Sequence, residues 1–76
     1  MPKVKGDVLI GHRMYKEVCR LFPTFVSAAQ AFRCDRKAIQ AWGAGVTPGG
    51  LHLARLHYLG GDVIYVLTGK REAKDG

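Results

Sequence analysis

The side chains best suited to recognition chemistry lie in a basic segment near the middle of the chain. Arg36 and Lys37 stand at the start of a helical pattern, and Gln40 follows Arg36 by one helical turn. Arginine and lysine donate hydrogen bonds to O6 and N7 of guanine, and a glutamine amide can pair with adenine or hold a phosphate. Ala41, on the same outward side, is short and at most touches a thymine methyl group. The four positions predict a surface that reads DNA bases, although a solvated charged face would have a similar composition.

Further residues around this segment are candidates for phosphate contacts, which position a protein on DNA without selecting a sequence. Thr24 begins a helix, and the free N–H groups and positive dipole end of a helix favour an anion there. The basic candidates are Arg33, Lys16 and Arg13. The overall balance agrees, because 12 Lys+Arg against 6 Asp+Glu give a net charge of +6. Such a charge is typical of nucleic-acid binding, but it also keeps a protein soluble and would suit an acidic protein partner.

The sequence contains no grouping that predicts catalysis or metal binding. His12, His52 and His57 are not spaced as an HxxxH pair, and no Ser/His/Asp or Cys/His arrangement can be assembled. Cys19 and Cys34 lack metal-ligand spacing, so we expect two buried thiols in a reducing compartment. We therefore expect no enzymatic activity, no catalytic residue, no metal, no cofactor and no small-molecule ligand.

The hydropathy of the chain also excludes two kinds of segment. No stretch approaches the roughly 20 apolar residues that would span a bilayer. The first eleven residues lack the long apolar run of a signal peptide. We expect a cytoplasmic protein with no membrane partner.

With 76 residues, the chain is long enough for one small domain. Its patterns predict an all-α, compact bundle of about five helices. We assign residues 1–6 to a flexible basic arm, residues 7–69 to the folded domain and residues 70–76 to a flexible charged tail. The first helix is predicted from Asp7 to about Phe22. Its inward stripe is Ile10, Met14, Val18 and Leu21, and its solvent side is Arg13, Lys16, Glu17 and Arg20.

Two short helices are predicted next, at about Phe25–Phe32 and Arg36–Gly43, with N-caps at Thr24 and Asp35. Only three residues separate them. A small residue is needed where two such helices cross, and larger apolar residues must fill the space inside the turn. The residues at these positions are Ala29, Phe32, Cys34, Ile39 and Trp42. Their spacing predicts a helix-turn-helix, for which an ordinary helical hairpin without a nucleic-acid role is the alternative.

The last third of the chain predicts two more helices. The fourth runs from about Pro48 to Leu59, with Thr47-Pro48 as its cap and first turn and with leucines at core spacing. The β-branched composition of residues 63–68 favours a strand, whereas Asp62 and Gly69 favour a short capped helix. We predict a homodimer interface in this segment, at Tyr65, Ile64 and Val66, with closure of the monomer core as the alternative.

The segments AAQAFRCDRKAIQAW, VTP and LGGDVIYVLTG resemble the phage-repressor or Cro-like helix-turn-helix domains, also called the lambda-repressor-like fold, over residues 10–69. The resemblance implies a five-helix bundle that binds an operator as a dimer, with helix three in the major groove and half-sites about one helical turn apart. A small phage or prophage repressor acting on a palindromic operator fits it best. A protein-binding module of the same fold, such as an antitoxin or anti-repressor, is the alternative.

Two positions depart from the family pattern. Arg33 stands where members usually have a glycine, at a site that commonly takes a left-handed backbone. Either the turn differs in this chain, or Arg33 compensates by reaching a phosphate. Phe25 stands where relatives often carry a polar residue, commonly Gln, that contacts the DNA backbone, and one expected contact is therefore missing.

Overall fold

The computed structural model describes the backbone of residues 4–71 and the side chains of residues 9–71. In this part of the chain there are five α-helices and no strand: α1 Val4–Leu21, α2 Phe25–Phe32, α3 Arg36–Gly43, α4 Gly50–Tyr58 and α5 Val63–Thr68. The predicted all-α fold and the bounds of α2, α3 and α5 are confirmed. Residues 1–3 of the predicted arm and residues 72–76 of the predicted tail lie outside the described residues.

Helix α1 begins at Val4, three residues before the predicted start at Asp7, so that residues 4–6 are helical and do not form an arm. Met14 and Val18 are buried as predicted, because α3 and α5 both pack against α1. Glu17 was predicted on the solvent side and is instead fully buried. It lies three residues after Met14 and one before Val18, on the face that α5 covers. Cys19 is exposed and Cys34 half-buried, so the expectation of two buried thiols is wrong for Cys19.

The core lies where α2 and α3 cross, with α1, α4 and α5 packed around the crossing. Ala28 and Ala29 are buried at the contact between helices, where a larger side chain would hold the backbones apart. The Phe32 ring packs edge-on against Trp42 at 5.8 Å and against Phe22 at 6.0 Å between ring centroids. The buried apolar residues are Met14, Val18, Ala28, Ala29, Phe32, Ile39, Trp42, Leu56 and Val66. They include Ala29, Phe32, Ile39 and Trp42 of the predicted crossing, and Cys34 packs against them half-buried.

Gly11 explains how the loop after α3 is held. A Cβ atom at this position would lie 2.4 Å from the carbonyl oxygen of Val46 and 2.8 Å from the carbonyl carbon of Gly45. The loop backbone therefore packs directly on α1, and only glycine leaves room for it. The sequence pattern does not reveal this close helix–loop contact.

Helix α4 starts later than predicted. Its N-cap is Gly49, and Pro48 is buried in the loop, so Thr47-Pro48 does not form the cap and first turn. The residue before a proline is biased towards extended backbone, which keeps Thr47 out of a helix. Of the three leucines predicted at core spacing, Leu56 is fully buried, Leu53 is half-buried and Leu59 is 37% exposed.

Helix α5 resolves the conflict between β-branched composition and capping signals. The Asp62 side chain accepts a hydrogen bond from the Tyr65 N–H at 2.9 Å, and Gly69 ends the helix with φ of +83°. Local capping and packing of Val66 into the core together override the strand propensity of the segment. In the described part of the chain, no helix has the length and hydropathy needed to cross a membrane.

Candidate nucleic-acid interface

The turn between α2 and α3 has a left-handed residue at its centre. Arg33 adopts φ 56° and ψ 49°. The Cys34 N–H donates to the Ala29 carbonyl at 3.0 Å and the Arg33 N–H donates to the Gln30 carbonyl at 3.3 Å. This pair of bonds is the Schellman arrangement that usually ends a helix at glycine. The backbone therefore has the geometry that a glycine would favour, and the idea that the turn is rearranged to suit Arg33 is wrong.

The start of α2 is fixed by a reciprocal pair of hydrogen bonds. Thr24 Oγ1 accepts from the Ser27 N–H at 3.1 Å, and the Thr24 N–H donates to Ser27 Oγ at 3.3 Å. This capping box confirms Thr24 as the N-cap. Thr24 is exposed, so its position allows the predicted phosphate contact at this helix end.

Helix α3 is held from one side and exposed on the other. Ile39 and Trp42 are buried, and His12 Nδ1 lies 3.1 Å from the Gly43 carbonyl oxygen at the end of the helix. Asp35 occupies the N-cap position, as predicted, but its side chain makes no capping hydrogen bond. Arg36, Lys37 and Gln40 are exposed, and Ala41 is half-buried. The predicted base-reading side chains therefore project from a helix whose inner face is fixed in the core.

The end of α2 and the start of α3 enclose a shallow, open depression. Gln30, Arg33 and Arg36 line it together with apolar residues and Asp35. A second shallow depression beside it is lined by Asp35, Arg36, Lys37 and Gln40. The structure thus brings a predicted phosphate residue, Arg33, next to a predicted base-reading residue, Arg36. Their guanidinium groups make no hydrogen bond or ion pair with another described residue.

The basic residues whose side chains the structure describes differ in whether the fold uses them. Arg13 donates from Nε to the Val66 carbonyl at 2.9 Å and from Nη2 to the Leu67 carbonyl at 3.2 Å, capping the C-terminal end of α5. Two donors of its guanidinium are used by the fold, which makes Arg13 less suited than Lys16 or Arg33 to the predicted phosphate contact. Lys16 and Arg33 remain exposed, as the predicted phosphate role requires.

A charge cluster around the buried Glu17 of α1, with half-exposed arginines, is not predicted by the sequence analysis. The Glu17 carboxylate accepts hydrogen bonds from Arg20, from Arg71 at 2.8 Å and from the Asp62 N–H at 2.8 Å. Burial alone would raise the pKa of this carboxyl, but the bonds from Arg20, Arg71 and Asp62 outweigh it and lower the pKa from 4.5 to about 2. The guanidinium of Arg71 also lies 3.9 Å from the centroid of the Tyr65 ring. Only the helical phase of Glu17, beside Met14 and Val18, could have indicated its burial.

The predicted dimer residues have different exposures. Val66 is fully buried and is wrong as an interface residue, because its side chain completes the monomer core. Tyr65 is half-buried beside Arg71, whereas Ile64 is 53% exposed. Leu67 and Tyr58, which were not predicted, are 42% and 84% exposed. Ile64, Leu67 and Tyr58 border one groove between α4 and α5. The groove is lined by Leu53, Ala54, Tyr58, Val63, Ile64 and Leu67, among others.

Among the described residues, no three His, Cys, Asp or Glu side chains come together as a metal site would require. Comparisons of the chain with protein-family models, with curated proteins and with solved structures found no match. The resemblance to the phage-repressor domains therefore stays a prediction.

Proposed function

We propose that the protein is a sequence-specific, double-stranded-DNA-binding transcriptional regulator that places α3 in the major groove. In this arrangement Arg36, Lys37 and Gln40 contact base edges, and Ala41 lies close to the bases without donating a hydrogen bond. Lys16, Thr24 and Arg33 contact phosphates. A small repressor of the phage or prophage kind, similar to Cro, is the regulator that these contacts fit best.

The observation that carries the proposal is which arginines bond to the protein itself and which do not. Arg13, Arg20, Arg55 and Arg71 each donate to a carbonyl or carboxylate of the protein itself. Arg33 and Arg36 do not, and both line the depression between α2 and α3. A guanidinium is most useful for bidentate contacts to guanine or phosphate when its donors are free. Among the described arginines, the guanidinium groups without a partner in the protein lie at the proposed helix-turn-helix, where DNA recognition would need them.

A single domain of this size reads few base pairs, so we further propose that it binds a palindromic operator as a homodimer. The corrected interface is the α4–α5 groove, with Tyr58, Ile64 and Leu67 in place of the predicted Val66. These three side chains are apolar or aromatic, are 42–84% exposed and border one groove. Aromatic and aliphatic side chains of this kind supply most of the binding energy in protein interfaces.

The recognition assignment is tested with a double variant, Arg36→Ala with Lys37→Ala. A preferred site is first selected from a random duplex pool with the unmodified protein, and affinities for it are then measured at several salt concentrations. Losing two base or phosphate contacts should weaken binding at least tenfold and reduce the slope of log K against log salt. Circular dichroism should show an unchanged helical fold, because both side chains are exposed.

Lys70→Glu is the matched control, since it also lowers the net charge by two and changes an exposed side chain outside the helix-turn-helix. We expect it to retain the selected site with nearly unchanged affinity. Equal losses in both variants would mean that net charge alone drives binding. If the pool yields no preferred site, the proposed function fails and the protein-binding alternative gains support.

The dimer is tested separately by sedimentation equilibrium. Tyr58→Glu and Leu67→Glu place a charge in the groove and should shift the protein towards monomer, while Leu9→Glu alters an apolar side chain on α1 that is similarly exposed, at 48%. Only the groove variants should weaken self-association. If the unmodified protein is monomeric at concentrations that saturate DNA, the proposed dimer is wrong. The assignment of the base-reading residues does not depend on this result, because the double variant tests it separately.

A further inference from the structure

We propose that Arg55, on α4, is a positioning residue that holds the left-handed turn at Arg33 and so sets the orientation of α3. The proposal rests on the proposed function only where it concerns DNA. The contact that suggests it is a hydrogen bond of 2.7 Å from Arg55 Nη1 to the carbonyl oxygen of Phe32. The bond joins residues 23 positions apart. It is a hydrogen bond from α4 directly to the last residue of α2.

The bonded carbonyl belongs to the peptide group immediately before the left-handed residue. On one side of that peptide, the Arg33 N–H donates to the Gln30 carbonyl at 3.3 Å. On the other side, the Phe32 carbonyl accepts from a charged guanidinium, and such charge-assisted bonds are about twice as strong as neutral ones. The peptide is therefore held at both ends. The peptide after Arg33 is held as well, because the Cys34 N–H donates to the Ala29 carbonyl at 3.0 Å. With the peptides on both sides of Arg33 held, the backbone cannot leave the left-handed region without breaking one of these bonds.

An external restraint matters here because the turn residue is not glycine. A left-handed backbone is unfavourable for an ordinary L-residue, whereas glycine adopts it readily. Arg33 has the only positive φ among the non-glycine residues of the described chain. Because α3 begins three residues later, at Arg36, a change of backbone region at Arg33 would redirect the whole recognition helix. We infer that Arg55 makes an arginine tolerable at this position, which gives the DNA-facing depression a second guanidinium.

A simple capping role for Arg55 predicts something different. If Arg55 only neutralised the end of the α2 dipole, its removal would destabilise the protein equally whatever residue occupied position 33. If repulsion between the Arg33 and Arg55 charges dominated, removing either charge would relieve it. A restraint on backbone conformation instead predicts that the turn leaves the left-handed region after loss of Arg55 when the turn residue has a Cβ atom, charged or not, and keeps its conformation when that residue is glycine.

The test is a double-mutant cycle at positions 33 and 55. Arg55→Met keeps most of the aliphatic stem and removes the donors. It is made in three backgrounds: unmodified, Arg33→Gln, which removes the charge but keeps the Cβ atom, and Arg33→Gly. Urea unfolding gives the folding equilibrium constant of each. Arg55→Met should lower this constant by the largest factor in the Arg33→Gly background, where the turn stays left-handed and the full bond is lost. It should lower it by similar, about fivefold smaller factors in the other two backgrounds, because there the chain escapes the unfavourable left-handed backbone once the bond is gone. Equal factors in all three, or a factor in the Arg33→Gln background that matches the one in the Arg33→Gly background, would overturn the proposal.

A DNA readout separates positioning from stability. The quantity measured is the ratio of affinities for the selected site and for the same site with one base pair changed, under conditions where every variant is folded. Arg55→Met should reduce this ratio about threefold or more in the unmodified background, because α3 is less well oriented, and should leave it unchanged in the Arg33→Gly background. An unchanged ratio in the unmodified background would refute the positioning role. The unfolding cycle needs no DNA, so a failure of DNA binding by the unmodified protein refutes the proposed function and not the restraint on the turn.

Discussion

Replacement of Glu17 by glutamine tests how far the buried charge cluster stabilises the fold. The carboxylate is fully buried, and its pKa is lowered from 4.5 to about 2 by the bonds that hold it. A pKa lowered in the folded state adds stability above the unfolded pKa, and that stability is lost as the pH falls towards the folded pKa. For this shift, the ionised form contributes about 3 kcal/mol at pH 7 and about 1.4 kcal/mol at pH 3. Glu17→Gln should therefore destabilise the protein by about 3 kcal/mol at neutral pH.

Urea unfolding at pH 7 and pH 3 measures this difference directly. The gap between the unmodified protein and Glu17→Gln should shrink by about half between the two pH values, since at pH 3 the carboxyl is mostly protonated in the unfolded chain and must release its proton when the chain folds. Asp35→Asn is the control, because Asp35 is exposed and its side chain makes no capping bond. It should change stability by less than about 0.5 kcal/mol at either pH. A gap for Glu17→Gln that is the same at both pH values would refute a stabilising role for the charge.

Three other substitutions probe the contacts that position the helices, each by urea unfolding. Gly11→Ala should destabilise by about 1–3 kcal/mol despite its better helix propensity, because the new Cβ would lie 2.4 Å from the Val46 carbonyl oxygen. Gly50→Ala, with nothing within 4 Å of its Cβ, should be neutral or stabilising, and the reverse order would contradict the close contact. Thr24→Ala removes the capping box and should cost about 1 kcal/mol, whereas no loss would mean that water replaces the cap. Arg13→Met should cost about 1–3 kcal/mol by freeing two carbonyls at the end of α5, and unchanged stability would show that solvent satisfies them equally well.

The parts of the fold that the sequence predicts well depend on neighbouring residues. Thr24 caps α2, Gly69 ends α5, and the apolar spacing around Ile39 and Trp42 marks the inner face of α3. Each signal acts over one or two helical turns, so it can be read without knowing the tertiary structure. The exposed positions of Arg36, Lys37 and Gln40 follow from the same helical phase.

The contacts that the sequence did not reveal join residues far apart in the chain. Glu17 finds its partners 45 and 54 residues later, and Arg55 reaches a carbonyl 23 residues earlier. A charged residue beside an apolar stripe is usually solvated, so the helical phase of Glu17 is too weak a signal to predict its burial. The burial of Val66 and exposure of Leu67 likewise depend on how α5 lies against α1, which neither residue type specifies.

The long reach of the Glu17 cluster has a consequence for the order in which the domain assembles during synthesis. When α1 leaves the ribosome, Glu17 has only Arg20 nearby, because the Asp62 N–H and Arg71 are made near the end of the domain. A nascent chain that ends before residue 62 lacks α5, so the face of α1 that carries Glu17 stays uncovered and the core lacks Val66. Helices α2 and α3 are complete by residue 43, yet Glu17 on α1 has all its partners only after α5 and Arg71 have emerged. The domain should therefore become protease-resistant late and in one step, when the C-terminal partners of Glu17 have been synthesised.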